Sequence, residues 1–198
     1  MAEMRSGRAT RVRLAPGAKD LPALPPSSLL VPVTLSALES LLWEATNILR
    51  GSPVDRTDWK SYILPLLFFK RICDAWDEEH AEMLADFGQD FADPHRFQVP
   101  EGCHWQDVRA VAKDVGRALE AAQRSIEAAN PGRLDGVFGD AQWTNKERVP
   151  DVTLKHLLEH YSAQTLSPAN VPEDELGNGD EFLIEKFADH SGHTAQEF

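Results

Sequence analysis

The segment from Leu41 to Glu78, LLWEATNILRGSPVDRTDWKSYILPLLFFKRICDAWDE, restricts the possible folds more than any other part of the chain. It joins two apolar helical patterns through a Gly51-Ser52-Pro53 break. In the first, Leu35, Leu38, Leu42, Ala45 and Leu49 recur at alternating steps of three and four, which puts one apolar stripe on a helix. Structure is expected to begin at Thr34 or Ser36, with Ser36 and Glu39 spaced as a capping box. The second pattern starts between Asp55 and Asp58 and runs to about Leu84. At about 100° per residue, Trp59, Tyr62, Ile63, Leu66, Phe69, Ile72, Cys73 and Trp76 cover most of the circumference. Lys60, Leu67, Lys70, Arg71 and Asp74 share the narrow remaining strip. A helix this apolar belongs at the centre of a bundle, and Pro65 removes one of its internal hydrogen bonds.

The rest of the chain reads the same way. Trp105, Val108, Val111 and Ala112 suggest one helical stretch. A second, capped by Asp114, carries Val115, Leu119, Ala122 and Ile126 and stops at Asn130-Pro131-Gly132. A third carries Val152, Leu154, Leu157, Leu158 and Tyr161, and Phe182, Leu183, Ile184 and Phe187 suggest a last short helix. Phe97-Gln98-Val99 is the best candidate for an extended piece. The expected fold is all-α, a helical bundle with marginal β content. Residues 1–33 contain Pro16, Pro22, Pro25, Pro26 and Pro32 with no helical period, and are expected to form a disordered leader. Within it Arg5, Arg8, Arg11, Arg13 and Lys19 outnumber Glu3 and Asp20.

The formal net charge of −12 argues against a nonspecific nucleic-acid coat but leaves room for a local basic strip. Two cysteines, Cys73 and Cys103, give no disulfide framework, which points to a reducing cytoplasm. No apolar run approaches the roughly 20 residues needed to cross a bilayer, so no membrane is expected as a partner.

Six pieces in order carry a resemblance: LWEATNILRG, LPLLFFKRICD, VPEGCHWQDVR, LDGVFGDAQWTNKERVP, LLEHYSAQTLS and GDEFLIEKFAD. Together they resemble the N-terminal helical domain of the methylation subunit of type I restriction-modification systems, over about residues 35–198. The resemblance implies a helical domain at 34–190, with 191–198 beginning the linker to a methyltransferase domain. It implies a parent enzyme that methylates adenine N6 in DNA with S-adenosylmethionine. The implied partners are double-stranded DNA, a DNA-specificity subunit, a second methylation subunit and a restriction subunit. The glycine-rich cofactor loop and the Asn-Pro-Pro-Phe type motif are not among these residues. Asp93-Pro94-His95 is only a partial likeness to that motif. These 198 residues alone are therefore expected to hold no cofactor and perform no catalysis.

Candidate contacts with nucleic acid or a partner are Lys60, Lys70 and Arg71 on the polar strip, and Trp143, Lys146 and Arg148 in a loop-like segment. The competing reading pairs the strip's cations with Asp74 and other acids inside the bundle. Two alternative functions stand beside the leading one. One is a freestanding helical protein-interaction module, which the acidic charge favours. The other is a zinc hydrolase built on His156, Glu159 and His160, whose H-x-x-E-H spacing puts two histidines on one helical face. Its third ligand would come from His190, His193 or a distal acid.

Overall fold

The computed structural model describes residues 33–88 and 95–172, with Asp174 and Gly177. Residues 1–32, the Phe182–Phe187 stretch and the 191–198 linker lie outside the described residues. Within them the chain is helical and has no strand, as expected of an all-α bundle.

Helix α1, Leu35–Leu49, starts on Thr34, whose hydroxyl accepts the Ala37 N–H at 3.3 Å. The expected Ser36–Glu39 box is corrected: Ser36 lies inside the helix, and its carbonyl accepts the Ser40 hydroxyl at 2.8 Å. Leu38, Leu41, Leu42, Ala45 and Leu49 face the core. After Gly51-Ser52-Pro53, a 3-10 turn at Arg56–Asp58 leads into α2, Trp59–Phe87. Helix α2 continues through Pro65 and supplies the centre of the core, with Tyr62, Ile63, Leu66, Leu67, Phe69 and Cys73 almost wholly buried.

Three shorter helices surround it. Helix α3, Trp105–Ala110, has a capping box in which the His104 ring accepts the Gln106 N–H and Asp107 accepts the His104 N–H. Its first residue, Trp105, fills the core against Phe69 at 5.3 Å and donates its indole N–H to the Ser162 hydroxyl at 2.9 Å. Helices α4, Val115–Ala129, and α5, Asp151–Ser162, complete the bundle. Helix α5 packs on α1, α2, α3 and α4, and Tyr161 ties it to α2 by donating to the Ile63 carbonyl at 3.2 Å. Val152, expected on the apolar face of α5, is instead 59% exposed, because the buried face is set by Leu154, Leu157, Leu158 and Tyr161.

In two other places a polar group finds its partner far along the chain. The extended stretch at Gln98 does not pair with a second strand. The Asn130 side-chain amide takes the strand's place, donating to the Gln98 carbonyl and accepting the Gln98 N–H, both at 2.8 Å. The polar strip of α2 is not an exposed edge. Lys70, Arg71 and Asp74 are 5%, 8% and 9% exposed, and Leu67 is fully buried. Lys70 pairs with Asp74 one turn on, while Arg71 donates to the carbonyls of Leu166 and Val171, both at 2.6 Å. Asp74 also accepts the Leu166 N–H at 2.7 Å, and Glu78 accepts the Ala169 N–H at 3.2 Å. The strip therefore clasps the segment that follows α5. Val33 is buried too, and its N–H donates to the Asn170 carbonyl at 2.9 Å.

Candidate nucleic-acid and partner interface

Lys113, Arg117 and Lys146 are exposed where α3 ends and where α4 and α5 begin. Asp114, the residue before α4, adopts the left-handed conformation, with φ of 57°. Its own carboxylate makes no cap bond. Asp151, the first residue of α5, does the capping instead: its two oxygens accept the N–H groups of Asp114 at 3.0 Å and Val115 at 3.1 Å. Two amides at the start of α4 are thus satisfied from another helix. Lys146 closes the arrangement, donating to Asp114 at 2.5 Å and to Asp151 at 3.2 Å.

Partial burial pushes the Asp151 carboxyl upward, but the Asp114 N–H, Lys146 and the Val115 N–H outweigh it and hold it below the usual range. Hydrogen bonds from Lys146 likewise lower Asp114, and the two carboxylates raise Lys146. Asp151→Ala is therefore expected to cost about 1 kcal/mol, the usual size of a lost helix cap. The sign with pH follows from the depressed folded value. The advantage of the aspartate is present above its unfolded pKa of about 3.9 and fades as pH falls through the lower folded pKa. Urea unfolding of both proteins at neutral pH and near pH 3 checks this: the gap between them should narrow in acid.

Around this cluster stand Lys113 and Arg117, both exposed and without an ion pair among the described residues. Asp114, Gly116, Arg117, Trp143, Thr144 and Lys146 line a shallow pocket of about 40 Å³. That volume holds about one water.

The candidate contacts named from the sequence fall in three places. Lys60 is half-exposed and has no ion pair among the described residues. Lys70 and Arg71 are interior groups with internal partners and not an exposed edge, and Lys70 takes the Asp74 partner that the competing reading gave it. Trp143 is 3% exposed and packs edge-on against Tyr62 at 5.2 Å, so it is a core residue and not a surface platform. Lys146 is exposed, with a 54% accessible side chain. Arg148 is half-buried and paired with Asp58 at 2.5 Å, which ties the approach to α5 to the turn before α2. Of the six, Lys146 alone sits beside the unpaired cations Lys113 and Arg117.

The zinc motif is drawn into other contacts. Glu159 forms a two-point ion pair with Arg109, at 2.8 and 2.5 Å. His160 places Nε2 2.7 Å from the Leu41 carbonyl, a bond that requires a proton on that nitrogen and removes its lone pair from a metal. Among the described residues no group of three metal-ligating side chains exists. His190 and His193 lie outside them.

The family pattern of the HsdM N-terminal domain matches residues 38–160. The chain belongs to this family. It is thus an N-terminal domain of a type I restriction-modification methylation subunit. The match spans all five helices of the HsdM domain, from the second turn of α1 to the last turn of α5. The segment clasped by Arg71 and Asp74 begins just beyond it. No curated protein matches the chain. Among the described residues of the HsdM domain, no helix is long and apolar enough to cross a membrane.

Proposed function

We propose that this domain contacts duplex DNA and neighbouring subunits within a type I adenine-N6 DNA methyltransferase. The partners are a DNA-specificity subunit and a second methylation subunit, with a restriction subunit able to join. S-adenosylmethionine and the target adenine are bound by other parts of the parent enzyme, which works in the cytoplasm. Membership of the HsdM N-terminal domain family is the observation that carries this reading. Unpaired Lys113 and Arg117 beside exposed Lys146 support a phosphate-facing surface on a chain that is acidic overall.

Contacts to phosphates alone position a protein without reading sequence, so binding by this chain is weak, insensitive to sequence and strongly salt-dependent. The test is a fluorescence-anisotropy titration of a labelled duplex at several salt concentrations. Replacing Lys113 and Arg117 by Glu is expected to flatten the slope of log affinity against log salt by about 0.9 for each phosphate that is no longer neutralised. A folded chain that binds no duplex at any ionic strength contradicts a direct DNA role. It leaves the subunit contacts, which also suit a protein-interaction module, as the remaining reading.

A further inference from the structure

The three cations of the proposed phosphate face are not equally free. Lys113 and Arg117 have no ion pair among the described residues. The Lys146 ammonium is already held, 2.5 Å from an Asp114 oxygen and 3.2 Å from an Asp151 oxygen. The two carboxylates differ in what else they do. Asp151 caps the amides at the start of α4, so the fold has a use for it. The Asp114 carboxylate caps nothing. It is exposed, and Lys146 is its one ion-pair partner among the described residues, with Arg117 acting on it through space.

The backbone accounts for this. A residue that caps a helix with its own side chain normally has an extended backbone. Asp114 is instead the one non-glycine residue at positive φ among the described residues. In that conformation its carboxylate leaves the α4 amides to Asp151 and meets the loop that carries Lys146. An ion pair as exposed as this one adds little to stability. It does change the local field. A phosphate that approaches Lys146 is repelled by Asp114 and competes with it for the ammonium protons. A carboxylate set among cations weakens binding to every duplex alike, which holds down sequence-independent association.

We propose that Asp114 restrains the phosphate grip of this face by holding Lys146, and so keeps the domain from settling on DNA of any sequence. The proposal rests on the reading above that Lys113, Arg117 and Lys146 face phosphate. The test is the anisotropy titration of a labelled duplex with the full chain as wild type, Asp114→Asn, Lys146→Ala and the double variant. Asparagine removes the charge, keeps the size of the side chain and enters the left-handed conformation as aspartate does. Asp114→Asn is expected to tighten the Kd about threefold or more at about 50 mM salt. The slope of log affinity against log salt should steepen by about 0.9, the release of one further counterion. In the Lys146→Ala background the same substitution should gain less than half as much on a logarithmic scale. Asp114→Gly also suits the backbone and should show the same gain, so it carries the test if the asparagine variant does not fold. A Kd unchanged by Asp114→Asn and Asp114→Gly overturns the restraint and leaves the proposed function standing. An equal gain with and without Lys146 overturns it too, because the effect is then one of overall charge. No duplex binding by the wild type at any salt overturns the proposed DNA contact and the restraint with it.

Discussion

Gly116→Ala is expected to destabilise the domain by about 3 kcal/mol or more, the upper range for forcing atoms into a packed interior. Gly116 is buried in the first turn of α4, where the chain passes against the backbone of Trp143. A Cβ there would lie 1.8 Å from the Trp143 carbonyl oxygen and 2.6 Å from its carbon. Backbone atoms cannot turn aside as a side chain does. Either α4 or the 141–145 loop must move, and Trp143 sits in the core beside Tyr62. The same shift would pull Asp151 from the α4 amides it caps. Gly51→Ala is the control. Its new Cβ meets only the Ile48 carbonyl at 3.7 Å, an ordinary approach, so it should stay within about 1 kcal/mol of wild type. Urea unfolding of the three proteins measures both effects.

Asp74→Ala is expected to cost about 3–5 kcal/mol, because it leaves the Lys70 ammonium buried without its counter-charge. Three interactions depend on this carboxylate: the pair with Lys70, the hydrogen bond from the Leu166 N–H, and through that the seat of the clasped segment. Replacing both members of the pair, as in Lys70→Met/Asp74→Leu, should recover a large part of the loss, since neither charge then has to be desolvated. The exposed pair Arg109–Glu159 gives the contrast. Its members are 37% and 58% accessible, and its removal should cost less than about 1 kcal/mol. A double-mutant cycle on each pair, read by urea unfolding, separates the two cases.

The burial of Lys70, Arg71 and Asp74 also shows where local sequence pattern stops being informative. The steps of three and four in α1, α2, α4 and α5 located the helices and most of the core, because burying an apolar stripe needs only local spacing. The same wheel left the charged strip of α2 either on an exposed edge or paired with Asp74 inside the bundle, and the buried Lys70–Asp74 pair meets the second reading, while the seat of Arg71 stayed hidden. Its partners are Leu166 and Val171, more than ninety residues further on, and no local period links them to α2. Asp151 illustrates the same limit. An acid after Pro150 is visible as a helix start, yet the amides it caps belong to residues 114 and 115. The pairing of Asn130 with Gln98 was hidden likewise, since a side-chain amide after the end of a helix carries no local sign of which backbone it will meet. On the surface, Lys146 could be named beforehand because it sits in a polar loop. Lys113 and Arg117 drew no notice, because their exposure side by side depends on how α3 turns into α4.

The domain's place in a DNA-bound, multi-subunit methyltransferase is tested most directly by sedimentation velocity. The chain, the specificity subunit and a duplex are run together at about 50 mM salt and again at about 200 mM. The expected result is a species containing all three at the lower salt, with the DNA contribution to its stability declining at the higher. A chain that keeps its helical circular dichroism yet sediments alone under both conditions would contradict the assignment.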